Sequence, residues 1–371
     1  VGHPIQVRIF SGETPLQVTF SVVKGKYALL AMNSRMQVLD TVAWLDASKD
    51  PVVLLRTGER VSATWKGKNQ GKFHGFLLAS ADTSGAFSIQ VGKAKRTYDG
   101  NLRLRVFKGS LQPVNVVEIN RYVAGVVESE GGHLPAPEFF KAQAILARTF
   151  ALKNLRKHAD EGYNLKDDVT SQVYFNRPSK KHAALIWKSV LATWDTILVD
   201  HQCEPILGVF HANSGGQTVA VEDVWSRPLP YLRARTDSFS LGQRSATWEK
   251  KVSKAEFLQY MASKLGTTPG DVSLQKAVLN FRQEEGRKNY FAWEGKRVNL
   301  KDVRSKFNLR STYFSIKDSG DELLLLGKGY GHGVGLSQDG AIRMDELGHD
   351  FKEILQFYYR DVEFEHLRYR D

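Results

Sequence analysis

The stretch Glu118-Ile-Asn-Arg-Tyr-Val-Ala-Gly-Val-Val-Glu-Ser-Glu-Gly-Gly132 marks the point at which the chain changes its hydrophobic period. Before it, Ile5-Gln-Val-Arg-Ile-Phe10, Leu16-Gln-Val-Thr-Phe-Ser-Val22, Met36-Gln-Val-Leu39 and Leu102-Arg-Leu-Arg-Val-Phe107 alternate apolar and polar residues at period two, the pattern of half-buried strands. Turn pairs such as Ser11-Gly12 and Ser84-Gly85 separate them. Within the stretch, Ile119, Tyr122, Val123, Val126 and Val127 fall instead on one face of a helix that Gly131-Gly132 would close. Pro135-Ala-Pro137 then opens a longer helix with the stripe Phe139, Ala142, Ile145, Leu146, Thr149, Phe150 and Leu152, and with Lys153, Arg156 and Lys157 near its end. A third helix across His182 to Trp194 follows, then a strand from Thr196 to Asp200 and another from Ile206 to His211. The pattern predicts a mixed α+β fold: a β-rich N-terminal region over residues 1–100, then a helix-and-sheet core over 101–371. Residues 240–308, helical around Lys254 to Lys264 and otherwise a polar loop, read as a lobe inserted in that core.

The 371 residues are 42% hydrophobic and 25% charged, which places the chain among ordinary globular proteins with material for one large or two modest domains. No apolar run approaches the roughly 18 to 20 residues of a transmembrane helix, the longest candidate being broken by Arg148 and Lys153. Cys203 is the sole cysteine, which excludes an intrachain disulfide and any structural zinc site built from several thiolates. The net charge of +12 favours a polyanionic partner. Its lysines and arginines are scattered rather than gathered in a tract, so charge alone marks no nucleic-acid site. The chain opens at Val1 without a methionine, which predicts that a signal peptide or a tag has been removed ahead of it.

Two glycine motifs and one helix end carry the candidate chemistry. In Gly327-Lys-Gly-Tyr-Gly-His-Gly-Val-Gly-Leu-Ser-Gln338, alternating glycines predict a main chain that a ligand can approach closely, with Lys328, Tyr330, His332, Ser337 and Gln338 supplying charge, stacking surface and hydrogen bonds. The other motif is His211-Ala-Asn-Ser-Gly-Gly-Gln-Thr218. No G-x-x-x-x-G-K-[ST] occurs, and the glycine run lacks the strand-turn-helix context of a dinucleotide site. Gly335-Leu-Ser-Gln-Asp-Gly340 misses the G-x-S-x-G elbow by one residue, which disfavours Ser337 as a nucleophile. Ser214 reads as a hydroxyl stabilising a glycine turn. His182, His201 and His211 lack the i, i+4 spacing and carboxylate partner of a zinc hydrolase, so no metal is expected. Glu128 and Glu130 stand about 200° apart on a helix, so at most one points into a given cleft. Glu130, followed by two glycines, has the less encumbered carboxyl, with Glu128 in reserve.

Taken together, these segments resemble the SpoIID/LytB family of bacterial cell-wall proteins, which comprises stage II sporulation protein D and the amidase enhancers. Asn120 to Glu130 is similar to the family's E-Y-L-x-G-V-V-x-x-E, and Lys141-Ala-Gln-Ala-Ile-Leu-Ala-Arg-Thr149 to its K-A-Q-A-V-A-A-R-T. Ser171-Gln-Val-Tyr174, His211 to Thr218, Asp223-Val-Trp225 with Pro230-Tyr-Leu232, Leu309 to Phe314 and Gly327 to Met344 follow in the family's order, with 240–308 least matched.

The resemblance implies a peptidoglycan lytic transglycosylase, which cleaves the β-1,4 bond between N-acetylmuramic acid and N-acetylglucosamine without water and leaves a 1,6-anhydro end. Glu130 falls on the family's essential glutamate and would act as sole general acid and base. The resemblance also assigns the walls of a glycan groove to Ser214, Gly215 and Gly216 and to the glycine run with His332 and Gln338, with Gln172, Tyr174 and Tyr330 as sugar contacts. Some members bind zinc through cysteines near the second glycine motif, where this chain has Ala212, Asn213 and Ser214, so neither zinc nor any other cofactor is expected. The residue after the glutamate, often methionine in the family, is Gly131 here, which keeps Glu128 open as the acid. The implied partners are glycan strands and a peptidoglycan amidase, not nucleic acid, in the periplasm or outside the cell. The alternative, ranked behind the lyase, is a non-catalytic glycan-binding enhancer of an amidase.

Overall fold

The computed structural model describes residues 4–47, 50–225 and 227–367. Two compact units divide the chain: one takes it up to Ile197 and again from Glu365, the other runs from Leu198 to Phe364.

The first unit opens with β1 (Pro4–Arg8), β2 (Gln17–Lys24), β3 (Tyr27–Met32), β4 (Val38–Leu45), β5 (Val52–Thr57) and β6 (Arg60–Trp65). There follow β7 (Lys68–Phe73), β8 (Gly75–Ser80), β9 (Ala86–Val91), β10 (Ala94–Asp99), β11 (Asn101–Phe107) and β12 (Ser110–Glu118). With the short β13 (Leu165–Lys166) they make two sheets, ordered β13-β1-β12-β11-β8-β3-β4 and β10-β9-β2-β5-β6-β7. The period-two alternation explains the arrangement. Val18, Phe20, Leu54, Val61, Phe87 and Ile89 of the second sheet are buried, as are Tyr27, Leu29, Phe76, Leu78, Leu102 and Leu104 of the first. Phe20 stacks on Phe87 at 5.2 Å and meets Tyr27 edge-on at 5.4 Å, so the sheets share an aromatic core. Burying each such ring contributes about 2 to 3 kcal/mol.

Three of the four strands read from the sequence lie within two residues of their expected ends. Met36 differs: it occupies a turn at φ 60°, where the Asn33 carboxamide accepts the N–H groups of Arg35 and Gln37, and the strand begins at Val38. Asx side chains that mimic a backbone turn compete with strand pairing in this way. Strands on both sides of residue 100 share the first sheet, so the sandwich runs on to Glu118.

At Glu118 the last strand turns directly into α1 (Ile119–Gly131). The Glu118 backbone stays extended, and its carboxylate accepts the N–H groups of Asn120 at 3.0 Å and Arg121 at 3.1 Å, which caps the helix. All five residues of the expected apolar face are buried. α2 (Pro137–Lys153) begins with proline, where no intrahelical donor is missed, and α3 (Ala183–Ala192) packs beside both. Arg148 lies wholly inside: its Nε donates to Asn120 Oδ1 at 2.8 Å and its Nη1 to the Thr196 carbonyl at 2.7 Å. Asn120 in turn donates to Asp195 Oδ1 at 3.0 Å, so one polar network ties α1 and α2 to the chain after α3.

In the second unit, residues 240–308 contain more than the expected helix and polar loop. The strands Thr247–Ser253, Glu322–Lys328 and Phe314–Ser319 form an antiparallel sheet. With the helices Lys254–Leu265, Val272–Leu279 and Leu300–Lys306 they enclose a core that includes Trp248, Phe257, Met261, Leu274, Phe291 and Leu325. The strand expected over Ile206 to His211 is confined to Phe210–His211, which pairs in parallel with Leu336–Ser337.

Gly125 sits where residues 171–180 cross α1, and a Cβ there would lie 2.5 Å from both the Asn176 carbonyl oxygen and the Tyr174 ring. Gly125→Ala is therefore expected to destabilise the first unit by about 2 kcal/mol through overpacking, despite alanine's better helix propensity. Thermal or urea melting checks this, and an unchanged midpoint would contradict the packing described.

Candidate functional site

The end of α1, Glu128-Ser129-Glu130, is held by a single extended segment. Val173 N–H donates to Glu130 Oε1 at 2.9 Å and Phe175 N–H to Ser129 Oγ at 3.4 Å. Ser179 N–H reaches both oxygens of Glu128 at 3.0 and 3.1 Å, and Lys180 N–H its Oε1 at 2.9 Å. Glu128 is only 4% exposed and its charge is met by backbone donors, which is how a buried carboxylate becomes tolerable. Glu130 is half-buried. Burial raises its carboxyl above the usual 4.5, while the Val173 N–H pulls the other way. A place in the last helical turn, at the negative end of the macrodipole, acts in the same upward direction as burial.

Next to this acid lie the Tyr122 hydroxyl, which the sequence marked only as part of the apolar face of α1, and Gln172, which the resemblance made a sugar contact. The Tyr122 hydroxyl donates to Gln172 Oε1 at 3.0 Å, and burial, with the Glu130 charge, pushes that hydroxyl's pKa upward. Gln172 is 2% exposed, which buries it away from the sugar expected there, and among the described residues its Nε2 has no hydrogen-bond partner. Gln143 on α2, in the Lys141–Thr149 motif, is likewise buried, with neither amide atom hydrogen-bonded among the described residues. Tyr174 is placed differently from the sugar contact expected of it. Its ring packs 4.8 Å from Tyr122 and 5.2 Å from Tyr98, its hydroxyl donates to Asn115 Oδ1 at 2.9 Å, and at 1% exposure it presents no face to a ligand. The exposed aromatic of this segment is Phe175, with the Arg96 guanidinium 4.4 Å from its ring centre.

Ser214, Gly215, Gly216, Tyr330, His332 and Gln338 belong to the second unit, where the two glycine motifs bind each other. Asn213 and Tyr330 exchange backbone hydrogen bonds of 3.0 and 2.8 Å. A Cβ on Gly215 would stand 2.8 Å from the Gly329 nitrogen, and one on Gly329 would stand 2.6 Å from the Asn213 carbonyl oxygen. These glycines make room for the protein's own main chain, where a main chain open to ligand was expected. The hydroxyls are used as well. Ser214 Oγ donates to the buried Asp237 at 2.8 Å, and Ser337 caps the helix Gln338–Glu346 by accepting Gly340 N–H at 3.3 Å.

The surface these motifs leave is aromatic and cationic. Tyr330 is 45% exposed, with the Arg310 guanidinium 5.6 Å from its ring centre. The His332 ring lies 5.1 Å from Trp225 and 5.6 Å from His211, on a cavity of about 90 Å³ also lined by Asn289, Lys301, Arg304 and Thr312. Burial, followed by the charge of Arg304, pushes His332 down to about 4, and His211 is also lowered well below its usual value, so both are neutral near pH 7. Gln338 is the first residue of its helix. Trp225 was legible only as part of Asp223-Val-Trp225. Zinc does not fit here: Asn213 Nδ2 is bonded to Asp339 and to the Ser240 carbonyl, Cys203 is exposed, and among the described residues no three His, Cys, Asp or Glu side chains converge.

Fold and site define an α+β protein in which a half-buried carboxyl of raised pKa ends a helix packed on a β-sandwich, with two interlocked glycine motifs in a second unit. Residues 107–199 match the stage II sporulation protein family, SpoIID. Stage II sporulation protein D of Bacillus subtilis (strain 168) is 30% identical over 281 residues, covering 70% of this chain and 77% of that protein, and that of Bacillus amyloliquefaciens gives the same values. An "Amidase enhancer" of Bacillus subtilis (strain 168) is 25% identical over 284 residues, covering 63% of this chain and 39% of that protein. The chain belongs to the stage II sporulation protein D family.

Removing the Glu128 carboxylate strands the N–H groups of Ser179 and Lys180. Glu128→Ala is expected to cost about 2 kcal/mol of stability and to speed amide exchange at residues 179 and 180. Melting and hydrogen exchange read both, and a neutral variant would mean that this carboxylate is not structural.

Proposed function

We propose that the chain is a peptidoglycan lytic transglycosylase with Glu130 as its only general acid and base. A cell-wall-related role follows from its family, and the setting of Glu130 carries the finer reading: of the two carboxyls at the end of α1, Glu128 is committed to backbone donors, whereas Glu130 is half-buried and burial raises its carboxyl above the usual value. In the first step the Glu130 carboxylic acid gives its proton to the glycosidic oxygen as the bond from muramoyl C1 to that oxygen breaks. The resulting carboxylate takes the proton from the muramoyl C6 hydroxyl, whose oxygen closes on C1. The products are a free 4-hydroxyl on N-acetylglucosamine and a 1,6-anhydro end, with Glu130 protonated again. No water enters, so the second carboxylate of an ordinary glycoside hydrolase is not needed.

Tyr330, His332 and Gln338 of the second unit are the proposed sugar contacts, while Gln172, as buried as Tyr174, is not among them. A neutral His332 would act as a hydrogen-bonding group rather than a proton donor. Ser214, Gly215 and Gly216 would shape that second-unit surface by fixing the 327–338 run. The proposed location is the cell envelope; among the described residues no helix is long and apolar enough to cross a membrane.

A second reading comes from the relative named amidase enhancer, which favours a module that grips glycan and stimulates a separate amidase. Digestion of purified glycan strands, with and without stem peptides, followed by mass spectrometry separates the two. The lyase reading expects anhydromuramoyl ends from the wild type and a loss of about a hundredfold or more in Glu130→Gln. No such ends on either substrate would leave the enhancer. Because the protonated form starts the reaction, kcat/KM should fall as pH rises through the raised pKa of Glu130, with the midpoint above 4.5. A profile flat across that range would contradict the assignment.

A further inference from the structure

The first unit holds a second constellation, a cavity of about 250 Å³ lined by Asp99, Arg121, Arg177, Pro178, Ala183 and Trp187. Arg121 and Glu130 are nine residues apart on α1, about 13 Å along the axis and half a turn round it, so the cavity is distinct from the acid's surroundings. Asp99, 4% exposed at the end of β10, faces Arg177 at 3.2 Å and Arg121 at 3.8 Å. One carboxylate against two guanidiniums leaves a positive charge over, and Lys24 lies near enough to add to it. The pairing is also incomplete. Asp99 Oδ1, the oxygen nearest Arg177, meets no donor in hydrogen-bond geometry among the described residues, and the two arginine side chains remain 27% and 30% exposed. Arg121 stands 5.7 Å from the ring of Trp187, which is itself half-buried. A purely structural ion pair would account for Asp99 and one arginine; it leaves the second guanidinium, the indole and the empty volume unexplained.

We propose that this cavity binds a carboxylate on a methyl-bearing carbon, CH(CH₃)–COO⁻, with the carboxylate on Arg121 and Arg177 and the methyl group against Pro178, Ala183 and Trp187. Guanidiniums take carboxylates through paired N–H···O bonds, and an apolar wall beside them selects what the carboxylate is attached to. Peptidoglycan offers this group twice: in the lactyl ether of a muramic acid that has lost its stem peptide, and at the D-alanyl end of a stem peptide. The inference thus rests on the peptidoglycan reading above, but it requires binding only, at a place other than the cleavage site.

The test follows the indole N–H resonance of Trp187 in the whole chain, assigned with Trp187→Phe. It is titrated separately with N-acetylmuramic acid, N-acetyl-D-alanyl-D-alanine, N-acetylglucosamine and N-acetyl-D-alaninamide. Either or both of the two carboxylates should shift it, and which one does so identifies the source; the sugar without a lactyl group and the amide should not. Arg177→Gln is expected to weaken binding at least tenfold, Arg177→Lys to restore part of it, and Glu130→Gln to leave it within twofold. Should Arg177→Gln fail to fold, Arg121→Gln carries the same expectation. A shift of equal size with the amide or with N-acetylglucosamine, no shift with either carboxylate, or unchanged affinity in a folded arginine variant overturns the proposal. Failure of the lyase reading looks different: no anhydro ends form while Trp187 still responds to a carboxylate.

Discussion

The candidate chemistry depends on the contact between residues 171–180 and the last turns of α1. A helix end leaves its carbonyls unsatisfied and disfavours negative charge, yet this one carries two glutamates. The segment separates their fates through its backbone donors: Ser179 and Lys180 fix one glutamate as an anchor, while the Val173 N–H bonds the other, whose carboxyl burial still raises. Gly125 is what lets the segment pass close enough, since any side chain there would strike Asn176 and Tyr174. The same crossing places Gln172 against Tyr122 and sinks Tyr174 into the core.

Much of this was legible in the sequence, and the limits were physical. Alternation gave the strands of the sandwich, and the switch to helical spacing at Glu118 gave α1, because burial on one face imposes those periods directly. The 200° separation of Glu128 and Glu130 already required different environments, but which one would be buried against donors depended on a segment some fifty residues away. Tyr174 illustrates the same limit: an aromatic beside a polar motif reads alike whether it faces solvent or core. Arg148 was legible as a break in an apolar run and as a letter of the Lys141–Thr149 motif, whereas in the fold it is the buried hub linking Asn120 and Thr196.

The glycine motifs were recognised as built, though for a different use. Alternating glycines permit close approach to the main chain, and sequence alone does not say what approaches. In the second unit it is another glycine turn, so the two motifs act as a pair and changing one would displace the other. The side chains between the glycines then divide by necessity. Those of Ser214 and Ser337 complete buried hydrogen bonds, and those of Tyr330 and His332 reach the surface or a cavity beside Arg310, Arg304 and Trp225. A chain with net charge +12 thus gathers part of that charge around aromatic rings.

The account turns on the protonation of one carboxyl, and the most direct measurement is a carbon-13 NMR titration of the Glu130 side chain, assigned by its loss in Glu130→Gln. It predicts a midpoint above 4.5, raised by burial. A midpoint at or below 4.5 would mean that Glu130 is ionised whenever the protein meets its substrate, and would contradict its role as the acid that starts the reaction.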